Sequence, residues 1–216
     1  MTTSVDLYYT MRSPYCYLST PILMDLVKKY DLQFQVKPVY PLAVSDPSFF
    51  DRVNPMWPPY LQKDTKRIAE RLDIPFRWPR PDPIVQDMQT RKIAAEQPYI
   101  QQLTHYAQLA SEQGLGLEYV SAVSGLLYNP DVDGWDKGNH LAETLSRIGL
   151  DKELLDNEIA QQCERLEDKI QRNRQDQLSC GHWGAPLFVF EQEIFFGQDR
   201  IEDLVWHLKM HGLTTK

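Results

Sequence analysis

With 216 residues, the chain is long enough for one large domain or for one domain that carries a sizeable insertion. Its composition, 42% apolar and 25% charged, supports a buried core and excludes disordered, collagen-like and disulfide-scaffold proteins. Acidic residues outnumber basic ones, giving a formal charge of −7, and no lysine- or arginine-rich run is present, so nucleic acid is not an expected partner.

The sequence also indicates a cellular location. No stretch of roughly 18 apolar residues occurs, and the first residues lack both the positive and the apolar region of a signal peptide. The three cysteines, Cys16, Cys163 and Cys180, are odd in number and cannot close a disulfide framework, which fits a reducing compartment. We therefore expect a cytoplasmic protein that does not insert into a membrane.

The N-terminal part predicts a β-α-β unit. Residues 5–9 are short, aromatic and β-prone, and residues 33–39 alternate polar with apolar side chains, so both segments are predicted strands. Ser13 as N-cap and Pro14 at the first helical position mark the start of a helix between them. Apolar residues then recur every four positions, at Leu18, Ile22, Leu26 and Tyr30.

A predominantly helical block follows, from about residue 45 to residue 177. Prolines within 54–59 and 76–83 are expected to bar regular helix or central strand locally. Helices are predicted at roughly 60–72, 87–112, 116–127, 137–147 and 152–176. The last helix has an apolar stripe made of Leu155, Ile159, Cys163, Leu166 and Ile170. Cys163 is therefore expected to be an inert core residue.

The C-terminal part returns to strands. Residues 186–190 and 194–196 predict a hairpin, and a closing helix is predicted at about 200–211. The order β-α-β, helical block, β-β-α predicts an α/β, thioredoxin-like fold with a large all-helical insertion. Residues 1–44 and 178–216 would form the thioredoxin-like domain, and residues 45–177 the helical insertion domain.

The start of the first helix is the most informative place for chemistry. A strand that leads into a helix N-terminus leaves backbone N–H groups and the positive end of the helix dipole facing outward, where an anion is stabilised. A two-thiol redox motif would have cysteine at positions 13 and 16, but Ser13 leaves only Cys16. Two-thiol exchange is therefore lost, and Ser13 is either part of an anion site or only a helix cap.

Three motifs in this order carry a family resemblance. They are Ser-Pro-Tyr-x-Tyr-Leu at 13–18, Gly-x-x-Gly-x-Pro at 181–186 and Phe-Gly-x-Asp-Arg at 196–200. Together they resemble the 2-hydroxychromene-2-carboxylate isomerase and kappa-class glutathione transferase family, which belongs to the DsbA-type thioredoxin folds with a helical insertion. Residues 60–67 resemble that family's Tyr-x-x-x-Asp helix. The resemblance spans essentially the whole chain and implies glutathione as cofactor, a role in aromatic compound catabolism and a homodimer.

The resemblance also implies roles for residues in the first two motifs. Ser13 matches the family's catalytic serine, which donates a hydrogen bond to the sulfur of glutathione. A hydroxyl at a helix N-terminus should lower a thiol pKa from about 8.5 toward neutrality. Pro186 matches the cis-proline of thioredoxin folds, and the backbone of Ala185 would pair with the cysteinyl backbone of glutathione.

The ends of glutathione are assigned from the same resemblance. Gln198 and Asp199 match residues that hold the γ-glutamyl end, and Arg200 is adjacent to them. Without the resemblance, Asp199 is equally well an ordinary helix N-cap, and Arg200 equally well pairs with a carboxylate of its own helix. Asn54 is the nearest candidate for the glycine arm.

The resemblance implies an isomerase that acts on a flat aromatic or conjugated acid lying between the thioredoxin core and the insertion. The reaction would be reversible thiolate addition to 2-hydroxychromene-2-carboxylate, ring opening, bond rotation and elimination to trans-benzylidenepyruvate. A kappa-type glutathione transferase is an alternative, as is a DsbA-like thiol-disulfide oxidoreductase that uses Cys16. A third is a non-catalytic binding module. No motif in the sequence predicts a metal site.

Overall fold

The computed structural model describes residues 2–87, 90 and 92–216, and its centre is a four-stranded mixed sheet in the order β2-β1-β3-β4. β1 (Thr3–Tyr9) pairs in parallel with β2 (Leu32–Pro38) and antiparallel with β3 (Leu187–Phe190). β3 in turn pairs antiparallel with β4 (Glu193–Phe196). The two halves of the predicted thioredoxin-like core, although far apart in sequence, therefore meet in one sheet, and the predicted fold class is confirmed.

Helices surround this sheet and account for most of the remaining described chain. Two of them, α2 and α3, are single turns, and a 3₁₀ turn at Gln198–Arg200 leads into the last helix. In chain order the helices are α1 (Pro14–Lys29), α2 (Leu42–Ser45), α3 (Phe49–Arg52), α4 (Trp57–Leu72), α5 (Pro98–Glu112), α6 (Gly116–Leu127), α7 (His140–Arg147), α8 (Lys152–Ser179) and α9 (Ile201–Met210).

The central strand β1 is covered on both faces. Successive side chains of a strand lie on opposite faces, so Leu7 and Tyr9 enter the main core with the helices, while Tyr8 lies in a smaller cluster with Val39 and Leu187. All five side chains are at least 98% buried. Because β1 is held in the middle of the sheet and ends at Tyr9, the start of α1 at Pro14 lies at the end of this central strand.

The sequence of α1 explains how it tolerates an internal proline. Pro21 lies inside the helix and has no N–H to donate to the carbonyl of Tyr17, four residues earlier. The hydroxyl of Thr20 donates to that carbonyl instead, at 2.9 Å. The buried carbonyl is thus satisfied, and the helix continues to Lys29.

Three predicted helix starts were wrong. The helix predicted at 137–147 begins at His140, because residues 137–139 form a bend and a turn. The helix predicted at 87–112 begins at Pro98; residues 92–97 are not helical, and residues 88, 89 and 91 lie outside the described part. The side chain of Gln97 bonds both the N–H and the carbonyl of Val85, which holds this segment as a loop until Pro98 opens the helix. Conversely, α4 begins at Trp57, because its two prolines occupy the first turn, where a missing N–H costs nothing.

The prediction that Cys163 belongs to the core was also wrong, since its side chain is exposed. α8 is interrupted at Gln162, whose φ of −131° and ψ of 22° are not helical. This break rotates the second half of the helix relative to the first, so Leu155, Leu166 and Ile170 remain buried while Cys163 faces outward.

The helical block shares one core with the sheet. α5 packs against β2 and α6 packs against α1, and a single cluster of buried side chains joins Leu7 of β1 with Leu103 of α5 and Val120 of α6. The division into a thioredoxin-like domain and an insertion at residues 45–177 stays a prediction. Within the described chain, no helix combines the length and the apolar character needed to cross a lipid bilayer.

Candidate functional site

Ser13 lies half-buried between the end of β1 and the first turn of α1. Its backbone is extended and its Oγ accepts a hydrogen bond from the N–H of Cys16 at 3.3 Å, so it caps the helix as predicted. The same hydroxyl donates to the carbonyl of Ala185 at 3.4 Å. Both distances are at the long end for hydrogen bonds, and a ligand atom with better geometry can replace either partner.

The N-terminus of α1 favours an anion. Pro14 has no N–H, the N–H of Tyr17 donates to the carbonyl of Ser13, and the N–H of Tyr15 has no acceptor among the described residues. No acidic side chain occupies the first turn, so the positive end of the helix dipole is not compensated there by the protein. Among the described residues, the N-terminus of α1 therefore offers two donors to a thiolate or another small anion, the Ser13 hydroxyl and the Tyr15 N–H.

The burial of Cys16 argues against a chemical role for its thiol in this site. Its side chain is fully buried, and burial raises the pKa of its thiol to about 12, so it stays protonated at neutral pH. Cys163 is exposed and Cys180 is half-buried, with its Sγ 4.0 Å from the hydroxyl of Tyr8, on the face of β1 opposite to the main core. All three cysteines are free.

The segment that leads into β3 faces the Ser13 hydroxyl. The Ala185–Pro186 peptide bond is cis, as the resemblance implies. The carbonyl of Gly184 accepts from the amide of Gln177 at 2.6 Å, and the N–H of Gly184 donates to His182 Nδ1 at 2.9 Å. Within the described chain the N–H of Ala185 meets no acceptor, so this backbone offers one donor and one carbonyl beside Ser13.

The third motif joins the other two through the backbone. The N–H of Gly197 donates to the carbonyl of Pro186 at 3.0 Å, which places the 3₁₀ turn beside the cis-proline segment. Gln198 is buried, while Asp199 and Arg200 are exposed and pair with each other at 3.3 Å. Asp199 is not a helix N-cap, because α9 begins after Arg200 and no side-chain cap bond is made there.

Arg200 also pairs with a second carboxylate, that of Asp203 at 3.0 Å. Its guanidinium is thus shared between two acidic side chains. The pair with Asp203 of α9 is the carboxylate pairing that the alternative interpretation of Arg200 predicted. Its predicted role toward glutathione stays a prediction.

Tyr15 and Asp64 are neighbours of the site that sequence reasoning did not assign. The hydroxyl of Tyr15 donates to Asp64 Oδ2 at 2.8 Å, which ties the first turn of α1 to α4. Burial, then Asp64, and more weakly Asp199, raise the pKa of Tyr15 above its ordinary value, so Asp199 lies close enough to act on it. The Tyr-x-x-x-Asp motif at 60–64 was the available signal for Asp64.

Arg12 is a second neighbour that the sequence did not reveal. Its guanidinium bonds both oxygens of Asp82, at 2.8 and 2.7 Å, and lies 4.7 Å from the centre of the Trp78 ring. This pairing fixes the residue before Ser13 to the loop between α4 and α5. The partner lies 70 positions away, and no local pattern indicates it.

The structure does not bring Asn54 into this group. Its Oδ1 accepts from the N–H of Met56 at 3.0 Å, near the start of α4, and its side chain is exposed. No described contact connects it with Ser13, Ala185 or Gln198. Its assignment to the glycine arm stays a prediction. Over residues 2–87, 90 and 92–216, no group of three or more histidine, cysteine or acidic side chains is arranged to hold a metal ion.

Three solved structures illustrate what this fold is similar to. 2-Hydroxychromene-2-carboxylate isomerase matches with a TM-score of 0.72 at 18% identity, over 96% of this chain and 95% of that one. A probable DsbA oxidoreductase from Streptomyces coelicolor matches with 0.66 at 14% identity, over 96% and 88%. The cytosolic disulfide reductase DsbM from Pseudomonas aeruginosa, solved with GSH, matches with 0.59 at 17% identity, over 96% and 98%.

At these identities the likeness shows a shared fold. No curated protein sequence matches the chain. A family model described as the DsbA-like thioredoxin domain, however, matches residues 4–209, which is nearly the whole chain. With the mixed sheet, the capped α1 and the cis-proline segment in place, the chain belongs to the DsbA-like thioredoxin domain family.

Proposed function

We propose that the protein is a glutathione-dependent isomerase that acts on 2-hydroxychromene-2-carboxylate or a similar aromatic-derived conjugated acid. The observation that carries the proposal is the Ser13 hydroxyl at the open N-terminus of α1, held only by two long hydrogen bonds. A hydroxyl at this position stabilises a sulfur anion supplied from outside, and it cannot itself enter a disulfide.

The backbone around Ser13 fits a peptide-like cofactor. The N–H of Ala185, which meets no acceptor among the described residues, and its carbonyl, which Ser13 contacts at 3.4 Å, match the two groups that a cysteinyl residue presents when it adds to a strand edge. Gln198 and Asp199 follow directly on the turn that is bonded to Pro186, where they would hold the γ-glutamyl end. The fold neighbour DsbM, solved with GSH, supports glutathione as the cofactor class.

The roles of the chain's own residues follow from this placement. Bound glutathione would supply the thiolate that adds to the conjugated system and leaves it after bond rotation, so that it returns unchanged. Ser13 would turn its O–H from the Ala185 carbonyl to the sulfur and hold the negative charge there. The N–H of Tyr15 and the dipole of α1 would add to that stabilisation.

The same site also suits a kappa-type glutathione transferase, in which the thiolate attacks an electrophile and leaves as a conjugate. A DsbA-like oxidoreductase that works through Cys16 is disfavoured, because that thiol is fully buried and protonated at neutral pH. A non-catalytic binding module would use the same fold without turnover. Whether glutathione is regenerated or consumed during the reaction distinguishes an isomerase from a transferase.

The proposal is tested by incubating the protein with 2-hydroxychromene-2-carboxylate and a glutathione concentration well below that of the substrate. We expect conversion of many equivalents of substrate while free thiol stays constant, and a loss of kcat of about 10²-fold in Ser13→Ala. Consumption of one thiol per product would establish a transferase instead. Conversion that does not require glutathione would contradict the proposed mechanism.

We also propose a cytoplasmic homodimer. Sedimentation velocity is expected to give about twice the 25.2 kDa mass of one chain. A monomer at micromolar concentration would contradict the dimer without touching the proposed chemistry, because every residue assigned to the site comes from one chain.

A further inference from the structure

A cavity adjoins the cis-proline segment on the side of α2 and α3. Its volume is about 380 Å³, within the range of small-molecule sites. The walls are apolar, and two arginines, Arg52 and Arg174, reach it together with Asp46. The apolar walls are formed by Leu42, Phe49, Val53 and Trp183.

The aromatic side chains form an apolar surface suited to a flat group. The rings of Phe49 and Trp183 lie 5.5 Å apart at 55°, which puts them in contact with each other, and His182 stacks on Trp183 at 5.3 Å. Trp183 is 47% exposed although it contacts these rings, so part of the indole surface is open to a ligand. A planar conjugated molecule would bury this apolar surface.

Arg174 carries a charge that no carboxylate of the described residues contacts. Its Nη1 donates to Gln177 Oε1 and to the carbonyl of Trp183, both at 2.7 Å, and both acceptors are neutral. A guanidinium has five N–H groups, so those on Nε and Nη2 have no acceptor among the described residues. Burial lowers the pKa of Arg174 below its ordinary value, the expected effect of a half-buried cation without a carboxylate in contact.

The other charges of the cavity cancel each other. Asp46 accepts from Arg52 at 2.5 Å and from the hydroxyl of Ser48 at 2.7 Å, so its carboxylate is already occupied. Asp46 acts on Arg174 only as a more distant charge. Among the described lining residues, the cavity therefore retains about one positive charge with unused, coplanar donors, which is the arrangement that recognises a carboxylate.

The cavity and the candidate site share one backbone segment, residues 183–185. Trp183 is two residues from Ala185, so their Cα atoms lie within about 7 Å of each other. Arg174 and Gln177 hold the carbonyls of Trp183 and Gly184, directly before the carbonyl that Ser13 contacts.

We propose that this cavity binds the carboxylate end of a planar conjugated acid, with Arg174 as the carboxylate ligand and Phe49 and Trp183 against the flat part. The assignment deepens the proposed function and rests on it, because it supplies the specificity for an acid substrate. Its test uses no glutathione, so its failure is distinguishable from failure of the thiolate site.

The test compares trans-cinnamate with cinnamamide, which has the same shape but no charge, by calorimetric titration of the full chain. We expect cinnamate to bind at least about tenfold more tightly than cinnamamide. Arg174→Gln should abolish this preference, while Arg172→Gln should retain it. Arg172 lies on the same helix, is exposed, and bonds only the carbonyl of Asp168.

Equal affinities for the two probes in the wild type would overturn the proposal, as would an undiminished preference in folded Arg174→Gln. Should that variant fail to fold, Arg174→Lys decides, because lysine keeps the charge but loses the planar fork. A preference reduced several-fold in Arg174→Lys supports the assignment, and an unchanged preference contradicts it.

Discussion

Ser13 and Cys16 lie three residues apart at the start of α1, and burial gives them opposite chemical roles. Ser13 is half-buried with two long hydrogen bonds, whereas the Cys16 side chain has no exposed surface. The sequence was sufficient to predict the helix cap and the loss of a two-thiol motif. It did not show how completely the remaining thiol is covered, because that depends on side chains outside α1, such as Tyr9 of β1 and Tyr128 after α6.

Thiol labelling tests this difference directly. With an aromatic disulfide reagent under native conditions, we expect fast reaction of Cys163, slower reaction of the half-buried Cys180, and reaction of Cys16 only after unfolding. Mass spectrometry of peptides identifies each labelled site. Rapid native labelling of Cys16 would contradict its burial and would reopen the oxidoreductase alternative.

The raised pKa of Cys16 also predicts a pH dependence of stability. The folded protein retains this proton up to about pH 12, whereas the unfolded chain releases it near 8.5. The free energy of unfolding therefore falls as the pH rises above about 8.5, by about 2 kcal/mol between pH 8 and pH 10 from this group.

Urea unfolding of the wild type and Cys16→Ala at both pH values measures the effect. The tyrosines contribute equally to both proteins, so the difference isolates the thiol. We expect the variant to lose about 2 kcal/mol less than the wild type over this interval. Identical losses in the two proteins would show that Cys16 ionises as readily when folded as when unfolded.

At the scale of elements, the contact between the 181–186 segment and β4 limits the residue at position 184. A Cβ built on Gly184 would lie 2.4 Å from the ring of Phe196, so a side chain there must displace that ring. The ring packs against His182 with centroids 4.0 Å apart and planes tilted by 32°, and the displacement would disturb the backbone beside Ala185.

Gly184→Ala should therefore lower the free energy of unfolding by about 1 kcal/mol and weaken glutathione binding. Gly125→Ala is the matched control, because the methyl group that it adds meets nothing within 4 Å among the described residues, and alanine favours the helix interior of α6. That control should gain up to about 1 kcal/mol and bind glutathione normally. Equal stability and binding in both variants would contradict the close contact.

Element boundaries show where local patterns stop being informative. The strands and α1 could be predicted from the alternation of polar and apolar residues, from the helix cap and from apolar residues at every fourth position, all of which are local patterns. The start of α5 at Pro98 depends on the bonds of Gln97 to Val85, and the exposure of Cys163 depends on a break at Gln162, a residue type that is normally a good helix former. Neither feature has a local signature.

For the whole molecule, the continuous core predicts cooperative unfolding. Buried side chains of β1, α5 and α6 belong to one cluster, so the helical block is not expected to melt apart from the sheet. Far-UV circular dichroism reports mainly the helices, and pulsed labelling of Cys16 reports the core beside the sheet. We expect coincident urea transitions, whereas two separated transitions would show that residues 45–177 fold independently.

The site likewise combines predictable and unpredictable parts. Ser13, Pro186 and Gln198 lie in motifs whose order along the chain was recognisable, and hydrogen bonds connect the three segments. Arg12 with Asp82 was not predictable, because the pair forms only when segments 70 positions apart pack together. Arg174 with Trp183 was not predictable either, because it depends on how the loop after α8 folds back onto that helix. Asn54 has no described contact with the group, so its role still rests on the resemblance alone.

The central claim is that Ser13 and the start of α1 stabilise the sulfur anion of glutathione. The most direct measurement titrates the protein with glutathione at pH 7 and follows thiolate absorbance in the ultraviolet. Ser19→Ala is the control, since it removes a hydroxyl from the same helix that bonds only the Cys16 carbonyl. Ser13→Ala also removes a helix cap, worth about 1 kcal/mol, so the fold of each variant is verified first.

We expect a saturable thiolate signal in the wild type and in Ser19→Ala, and its loss in folded Ser13→Ala. Equal thiolate formation in the wild type and in Ser13→Ala would contradict the account.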